Sequence, residues 1–376
     1  MGVEIQEVYL HSFLYNLATS LVAVFIPLYI LDSGFQVTYV FTFYAFYFGM
    51  QILLAVPFSA LASRIGYKHL SLLSSIPILG YYFLIRTVET GAGLHFVGVL
   101  GGIGFTAYWM GMNPEVATST HDEKEDEESG FFISMPNMAS IISPFIGGLI
   151  LLVFNFNVLF SVTAGLIAVS FLPFLFSREH TEGMDINFRQ LVSRDYLTDF
   201  LTYFFEGGQS IAHHVAWPLL IALVIGGSLN IGGAGSLLAL GGAVSSIFVG
   251  KLSERYGRNK VLWYGASALA LVLFTMAFTG SAYAAFVVSL MHGVTHSFLS
   301  VPLYSSAIDR SEESDLLEYF AFREISLSLG RVAFLGLFAA LFFFVPEYRF
   351  LAVFSAAALG ALSCSFFARR MNSINV

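Results

Sequence analysis

One apolar segment of this chain, residues 196–226, carries polar side chains at helical spacing. It contains Glu206, Gln209 and His213. Residues four or seven positions apart lie on one face of a helix, so all three side chains are expected to share a face. Glutamate and histidine can exchange protons near neutral pH when their surroundings shift their pKa modestly. This spacing favours the handling of protons or of a polar solute.

Two later apolar segments add further ionisable residues. These are His292, His296, Arg323, Glu324 and Arg331. Placing such a side chain inside a membrane costs about 2.5–3.5 kcal/mol on insertion scales, so each is a functional candidate. Arg331 stays charged, and we expect it to hold an anion or to pair with Glu206 or Glu324.

Structural roles compete with these functional ones. The alternative for Glu206 is a purely structural pair with a histidine or with Arg331. His214 is rotated about 100° from His213 on a regular helix, so we interpret it as a packing or interface residue. Arg323 and Glu324 lie near the predicted cytoplasmic end of their segment, where an inner gate or a local ion pair is expected.

The first half of the chain offers hydrogen-bonding and aromatic side chains without a clear buried charge. Tyr44, Tyr47 and Gln51 recur at intervals of three and four, which predicts one helical stripe. Trp109 and Asn113 are the candidate solute-binding residues of this half. Such a wall suits a neutral or amphipathic organic solute, although ordinary packing also accounts for the tyrosines. One half thus supplies titratable groups and the other an aromatic wall.

The elements that must position these residues follow from composition. Of 376 residues, 57% are hydrophobic and 11% are charged, against about 25% charged in soluble domains. The 40 Phe and 34 Gly also fit membrane helices. The expected surroundings are therefore a lipid bilayer, and nucleic acid is not an expected partner. The single cysteine, Cys364, excludes an internal disulfide and a thiolate metal site, and no cofactor or metal is predicted.

Twelve segments are long enough to span a membrane, which takes about 20 mostly apolar residues. The predicted spans are 8–31, 37–60, 68–87, 92–113, 130–154, 157–177, 196–226, 233–252, 260–279, 281–306, 317–345 and 348–368. They lack the two-residue alternation of barrel strands. Short connections between several of them predict antiparallel helical hairpins.

The basic residues predict the orientation of the chain in the membrane. A charged stretch predicts where the chain divides into two bundles. Lys and Arg concentrate in the even-numbered connections and at the C-terminus, whereas the odd-numbered ones hold only Arg86 and Arg349. Both termini are therefore predicted to be cytoplasmic. The charged stretch 178–194 is predicted to be a cytoplasmic linker between an N-terminal bundle, 1–177, and a C-terminal bundle, 195–376. Glu115 falls at a cytoplasmic helix end and is expected to be solvated.

A short polar stretch between two apolar segments occurs twice, at 59–68 and at 250–260. Three residues of the first copy recur 191 positions later: Leu61, Arg64 and Gly66 match Leu252, Arg255 and Gly257. The interval is about half the chain length, which indicates an internal duplication. A glycine at these positions permits a tight turn.

This arrangement resembles the major facilitator superfamily of secondary transporters, whose loop pattern is roughly G-x-L-x-D-R-x-G-R-[RK]. The second copy matches at Gly250, Leu252, Arg255, Gly257 and Arg258, with Glu254 for the acid. The first copy departs from it, with Ser59, Ser63 and Tyr67 in place of Gly, Asp and Arg.

Two further stretches bear on the resemblance. Pro144, Gly147 and Gly148 resemble the family's helix 5 motif, which is commonest in drug/proton antiporters, with Ser143 replacing its first Gly. The arginine that many members carry on helix 4 is absent here, which weighs against a proton relay on that helix.

The resemblance implies an all-α polytopic membrane protein with twelve transmembrane helices in two pseudo-symmetric six-helix bundles. Helices 1, 4, 7 and 10 would line a central cavity, so that the second half's candidates, Glu206, His213, His292, His296 and Arg331, converge. Glu254 is expected to form a latch with Arg255 or with a neighbouring helix end.

The function expected from these residues is secondary active transport of a small organic solute by alternating access. Proton coupling is expected, antiport is slightly favoured, and the transporter is expected to act as a monomer. Amphipathic solutes rank before small organic anions. No phosphate-binding loop for ATP is present. Two alternatives stay open: a non-transporting sensor or scaffold, suggested by the degraded first loop, and a multipass transferase using an intramembrane histidine.

Overall fold

The computed structural model describes residues 3–119, 126–175, 196–312 and 316–371, and long helices account for nearly all of them. The first half contains α1 in two parts, Val3–Ala23 and Ile26–Asp32, followed by α2 Val37–Ile65, α3 Tyr67–Leu84, α4 Gly91–Ser119, α5 Asp126–Val153 and α6 Phe156–Ser170. The second half contains α7 Leu197–Ile225, α8 Ser228–Tyr256, α9 Arg258–Met276, α10 Ala282–Glu312, α11 Leu316–Phe344 and α12 Arg349–Met371. The predicted linker 178–194 lies outside the described residues.

Length and hydropathy make this a multipass membrane protein. Within the described part of the chain, 11 helices are long and apolar enough to cross a membrane, and α5 adds a shorter apolar stretch, Met138–Val153. Large apolar side chains such as Ile76 and Phe343 are mostly exposed on the outer surface. In water such a surface would be an aggregation liability, whereas in lipid it is the expected solvent contact.

The two halves are built on one plan. The helices α2, α3 and α4 begin 191 positions before α8, α9 and α10. In the first half α1 packs on α5 and α6, α2 on α4, and α3 on α4 and α6. The second half repeats each of these pairs with α7 to α12. The predicted all-α fold with two pseudo-symmetric six-helix bundles is confirmed.

The duplication extends to single backbone contacts. Gly102 of α4 lies so close to the carbonyl oxygen of Tyr47 that a Cβ atom would overlap it. Gly293 of α10 stands in the same relation to the carbonyl oxygen of Leu238, and each of these residues lies 191 positions after its counterpart. Glycine allows α2 and α4, and likewise α8 and α10, to approach this closely.

The halves meet along α2 and α11 and along α5 and α8. The helix 5 motif lies in the second of these contacts. Gly148 lies against the backbone of Ser228, whose hydroxyl donates to the Gly148 carbonyl at 3.0 Å. The carbonyl of Pro144 abuts Gly232, and Gly147 abuts the backbone of α1. In this structure the motif therefore permits close packing of three helices.

The repeated polar stretches form tight turns at Gly66 and Gly257, with φ of 98° and 84°. These values lie in the left-handed region that glycine tolerates. Arg64 is exposed beside the first turn, and Gly250, nearly two turns before the end of α8, has open space around it. Glycine is thus required at the two turns but is not demanded by packing at Gly250.

An ion pair lies beside each of the two turns. The pair in the first half contradicts the prediction made for Glu115. The Glu115 carboxylate lies 3.6 Å from the Lys68 ammonium, and both side chains are buried. The expectation that Glu115 is solvated is wrong, because α3 starts directly after its turn and brings Lys68 against the end of α4.

In the second half the equivalent ion pair joins Arg258 to Asp309 at the end of α10. Glu254 and Arg255 are exposed, and the Arg255 guanidinium lies over the Tyr256 ring. Among the described residues, the loop's ion pair to another helix is that of Arg258, and Glu254 forms no ion pair that would make the expected latch in this conformation.

Candidate functional site

A cavity of about 290 Å³ lies between the two halves. Its wall is mainly aromatic, and the first half contributes Tyr15, Tyr44, Tyr47, Phe48, Tyr81, Tyr82, Phe105 and Trp109. The second half contributes His214 and Arg331. The indole N–H of Trp109 is buried without a hydrogen-bond partner in the described structure. This central cavity thus combines a large apolar wall with a few polar groups, as organic-solute sites do.

Of the two candidate solute-binding residues of the first half, Trp109 lines the central cavity and Asn113 does not. Asn113 is buried on α4, one turn further along, outside the residues that line the central cavity. The predicted stripe of Tyr44, Tyr47 and Gln51 divides in the same way. Its two tyrosines line the cavity, and Gln51 faces α11.

Four charged residues of α7 and α11 form a buried cluster beside this cavity. The Arg323 guanidinium lies 3.7 Å from the Glu206 carboxylate and 3.3 Å from that of Glu324. Arg331 lies 3.8 Å from the other oxygen of Glu324. With all four ionised, the cluster is neutral, as buried charges must be to avoid a large desolvation cost. The predicted local ion pair of Arg323 and Glu324 is present within it.

Close packing of α7 on α11 brings this charge cluster together. Gly207 lies against the carbonyl oxygen of Leu327, and Gly330 against that of Phe204. A side chain at either glycine would separate the helices. Because Glu206 directly precedes Gly207, the close approach sets it opposite Arg323.

Arg331 also connects the two halves. Its Nη1 donates a hydrogen bond to Oε1 of Gln51 on α2 at 3.0 Å. The Ser328 hydroxyl donates to the same oxygen at 2.6 Å, and the Arg331 guanidinium lies 4.9 Å from the centre of the Phe48 ring. One arginine thus touches the cavity, the charge cluster and the opposite half.

A polar chain that sequence reasoning missed continues from the charge cluster toward the start of α7. Arg323 lies over the Tyr203 ring at 5.4 Å, and the hydroxyls of Tyr203 and Tyr319 are 2.9 Å apart. Tyr319 donates to the fully buried Asp199, which also lies 3.5 Å from Arg310. The available signal was an aspartate within the apolar segment 196–226, near its start.

Four histidines of α7 and α10 form a second group. The ring of His213 lies 4.9 Å from those of both His292 and His296, and 4.0 Å from that of His214. His292 is fully buried, and neither of its ring nitrogens has a hydrogen-bond partner in the described structure. The convergence predicted for the second half is therefore divided, with the histidines in one group and Glu206 and Arg331 in the other.

The interpretation of His214 as a packing residue is wrong, since it lines the central cavity beside Arg331. The cause is a π-helical turn at Ala212–Ala216. Pro218 lacks an N–H and its ring clashes with the carbonyl four residues earlier, that of His214. The wider turn reduces the rotation per residue, so successive side chains diverge less than on an α-helix. Pro27, 191 positions earlier, similarly follows the break in α1.

Gln209 shares a helix with these groups but does not line the central cavity. It is fully buried next to Gly360 of α12, and its amide has no hydrogen-bond partner in the described structure. Among the described residues, no group of three or more His, Cys, Asp or Glu is arranged to hold a metal ion.

A second cavity of about 260 Å³ lies between α5, α8 and α10. Its lining includes Ser140, Gly242, Ser246, His296, Ser297 and Ser300. Among the described residues that line it there is no Asp, Glu, Lys or Arg. It therefore differs from the central cavity in being lined mostly by small side chains, four of them serines, in place of large aromatic rings.

Comparison with known proteins agrees with this architecture. The profile of the Major Facilitator Superfamily matches residues 8–230 and 199–373. The uncharacterized protein YqgE of Bacillus subtilis (strain 168) is 23% identical over 280 residues, which cover 67% of this chain and 62% of that protein. This chain thus matches less than two thirds of that relative's length.

A crystal structure of a mutant of the nucleoside transporter NupG is similar in fold, with a TM-score of 0.75 and 12% identity over 98% of this chain and 99% of that one. At this identity the likeness concerns the fold alone. The family matches, by contrast, extend over almost the whole sequence. The chain therefore belongs to the major facilitator superfamily, a family of secondary transporters.

Proposed function

We propose that this protein carries a small amphipathic organic solute by alternating access and couples its movement to protons. The observation that carries the proposal is the position of Arg331. It lines the central cavity, pairs with Glu324 and donates to Gln51 of the opposite half. A change of protonation in the charge cluster can therefore alter both the solute site and the contact between the halves.

The coupling runs through the two arginines. When Glu206 takes up a proton, Arg323 loses one carboxylate partner and is drawn fully to Glu324. Arg323 then competes with Arg331 for the same carboxylate. Arg331 is left with Gln51 and the solute as partners. Proton binding to Glu206 therefore changes the strength of the Arg331–Gln51 contact between α11 and α2.

The wall of the central cavity supports an organic solute with an apolar face. Aromatic rings favour stacked or edge-to-face contacts with a planar group. Arg331 and His214 supply the polar contacts, and a small organic anion attracted by Arg331 is the second candidate. The resemblance of the helix 5 motif to that of drug/proton antiporters supports antiport over symport. We also propose that the transporter acts as a monomer.

Glu206→Gln tests the coupling in proteoliposomes under an imposed pH gradient. One pH unit supplies about 1.4 kcal/mol per proton, which drives about tenfold accumulation at one-to-one stoichiometry. We expect the unmodified protein to accumulate solute and Glu206→Gln to equilibrate it without accumulation, because a glutamine takes up no proton.

The matched control is Glu347→Gln, since Glu347 is an exposed glutamate in the α11–α12 connection. It should accumulate solute as the unmodified protein does. Undiminished accumulation by Glu206→Gln would contradict the proposed coupling. A purified protein that moves no solute, with or without a gradient, would favour the sensor or scaffold alternative.

We further propose that both termini are cytoplasmic. A fluorescent protein fused after the C-terminus is expected to be fluorescent, and a periplasmic phosphatase fused there is expected to be inactive. The opposite pattern is expected for fusions in the α11–α12 connection, near Glu347. Matching signals at the two sites would contradict the proposed orientation.

A further inference from the structure

The two cavities occupy equivalent places in the two halves. The central cavity is lined by Tyr47, Phe48, Phe105 and Trp109. The residues 191 positions later, Leu238, Ala239, His296 and Ser300, line the second cavity. In each half the wall is thus built at the same turns of an equivalent packed helix pair, α2 with α4 and α8 with α10.

The duplicated walls have diverged in chemistry. The first has kept large aromatic rings, whereas the second has small side chains and the hydroxyls of Ser246, Ser297 and Ser300 beside His296. A hydroxyl group both donates and accepts hydrogen bonds, and so does a neutral imidazole. The second wall is therefore suited to a solute group that itself carries several hydroxyls and no charge.

Side chains in direct contact separate the two cavities at two places. Ser20 lines the central cavity and Ser140 the second one, and the Ser20 hydroxyl donates to that of Ser140 at 3.1 Å. His214 lines the first cavity and His296 the second, with the ring of His213 within 5 Å of both. The serine contact is a hydrogen bond between two hydroxyls, which a polar solute can replace with its own, and the histidine contact consists of rings packed against one another.

We propose that the two cavities form one bipartite site for an uncharged solute with a planar aromatic ring at one end and a sugar-like polyol at the other, such as a nucleoside or an aryl glycoside. The ring stacks in the central cavity between Trp109 and the tyrosines. The polyol hydrogen-bonds to the serines and to His296 in the second cavity and displaces the Ser20–Ser140 hydrogen bond. This proposal rests on the proposed function, because it names the class of solute carried.

Bridging also gives the solute a role in alternating access. The ring is held by α2 and α4 of the first half, and the polyol by α8 and α10 of the second. A solute with both ends contacts both halves at once, whereas a solute with one end leaves one half unoccupied. Affinity should therefore depend on the two ends being linked.

Binding to the purified protein tests this with two sets of matched probes. The first set is adenosine, adenine and ribose, and the second is phenyl glucoside, phenol and glucose. A ligand that binds only the folded state raises the Tm. We expect at least one linked compound to bind about tenfold or more tightly than either of its parts, which corresponds to about 1.4 kcal/mol. If neither linked compound binds more tightly than its ring alone, the proposal is overturned.

Two variants test which cavity binds the ring and which binds the polyol of the linked compound. Trp109→Ala should weaken the linked compound and its free ring alike. Ser300→Ala should weaken the linked compound about tenfold and leave the free ring unchanged. The control is Ser305→Ala on the same helix, because the Ser305 hydroxyl donates to the Val301 carbonyl and does not line the second cavity. It should bind all the probes as the unmodified protein does.

A Ser300→Ala variant that binds the linked compound normally, or that weakens the free ring equally, would overturn the assignment. These measurements use a fixed pH and no gradient. A protein that fails them can still accumulate another solute in the Glu206→Gln experiment, so the failures of the two proposals are distinguishable.

Discussion

Arg331→Met is expected to abolish solute uptake. Methionine fills the volume of the side chain and retains contact with Phe48, but it removes the hydrogen bond to Gln51 and the ion pair with Glu324. Truncating one partner of a buried, hydrogen-bonded charge pair costs about 2–5 kcal/mol. If that cost falls on the step in which the halves close around the solute, uptake falls by about thirtyfold or more.

Loss of uptake must be separated from loss of folding. Arg331→Met leaves the charge cluster with one negative charge in excess, and an unpaired buried charge is strongly destabilising. The double variant Arg331→Met/Glu324→Gln removes one charge of each sign and retains the Glu206–Arg323 pair. We expect it to recover most of the Tm lost in the single variant and to remain inactive in uptake.

The variant Arg331→Lys tests whether the positive charge of the side chain is sufficient or the planar shape of the guanidinium is also needed. A lysine keeps the positive charge, but its compact ammonium cannot reach Gln51 and Glu324 while lying flat on Phe48, as the planar guanidinium does. Uptake between that of the unmodified protein and that of Arg331→Met is expected. Normal uptake by the double variant would show that Arg331 only balances charge, and the proposed bridging role would be wrong.

Hydropathy was sufficient to find the helices, and it was least accurate where polar residues extend them. The tenth predicted span ends at 306, whereas α10 continues to Glu312. The eighth was predicted to begin at 233, whereas α8 begins at Ser228. Both extensions hold polar or glycine residues at a helix end, where water or another helix satisfies them. Their composition therefore lowers the apolar average without ending the helix.

Side chains that share a face of one helix were placed well, because helical periodicity determines that face. His292 and His296, four residues apart, do lie together and meet His213. His214 was misplaced because a proline changes the local helix, and Pro218 was the signal that regular periodicity should not be assumed there.

Partners on different helices could not be predicted in this way. Nothing in the sequence around Gln51 indicates that its amide oxygen accepts from both Ser328 and Arg331 across the halves. Asp199 likewise finds Tyr319 and Arg310 only through tertiary packing. These contacts depend on which helices pack together and at what depth, which periodicity within one helix does not specify.

Gly330→Ala is expected to be strongly destabilising, because the Cβ atom would overlap the carbonyl oxygen of Phe204 on α7. The overlap is with backbone, so no side chain can rotate away, and the reciprocal contact of Gly207 with α11 prevents an easy shift of the helix. Overpacking of this kind typically costs about 1–3 kcal/mol and occasionally more. A lower Tm of the purified protein is the expected measurement.

Gly336→Ala is the matched control on the same helix, since a Cβ there meets no atom within 4 Å. Alanine is the better helix former by about 1 kcal/mol in a helix interior, so the control should be neutral or slightly stabilising. Equal Tm values for the two variants would refute the close α7–α11 contact. That contact also sets Glu206 opposite Arg323. Gly330→Ala should therefore reduce proton-driven accumulation more than downhill flux, a difference that a general loss of folded protein would not produce.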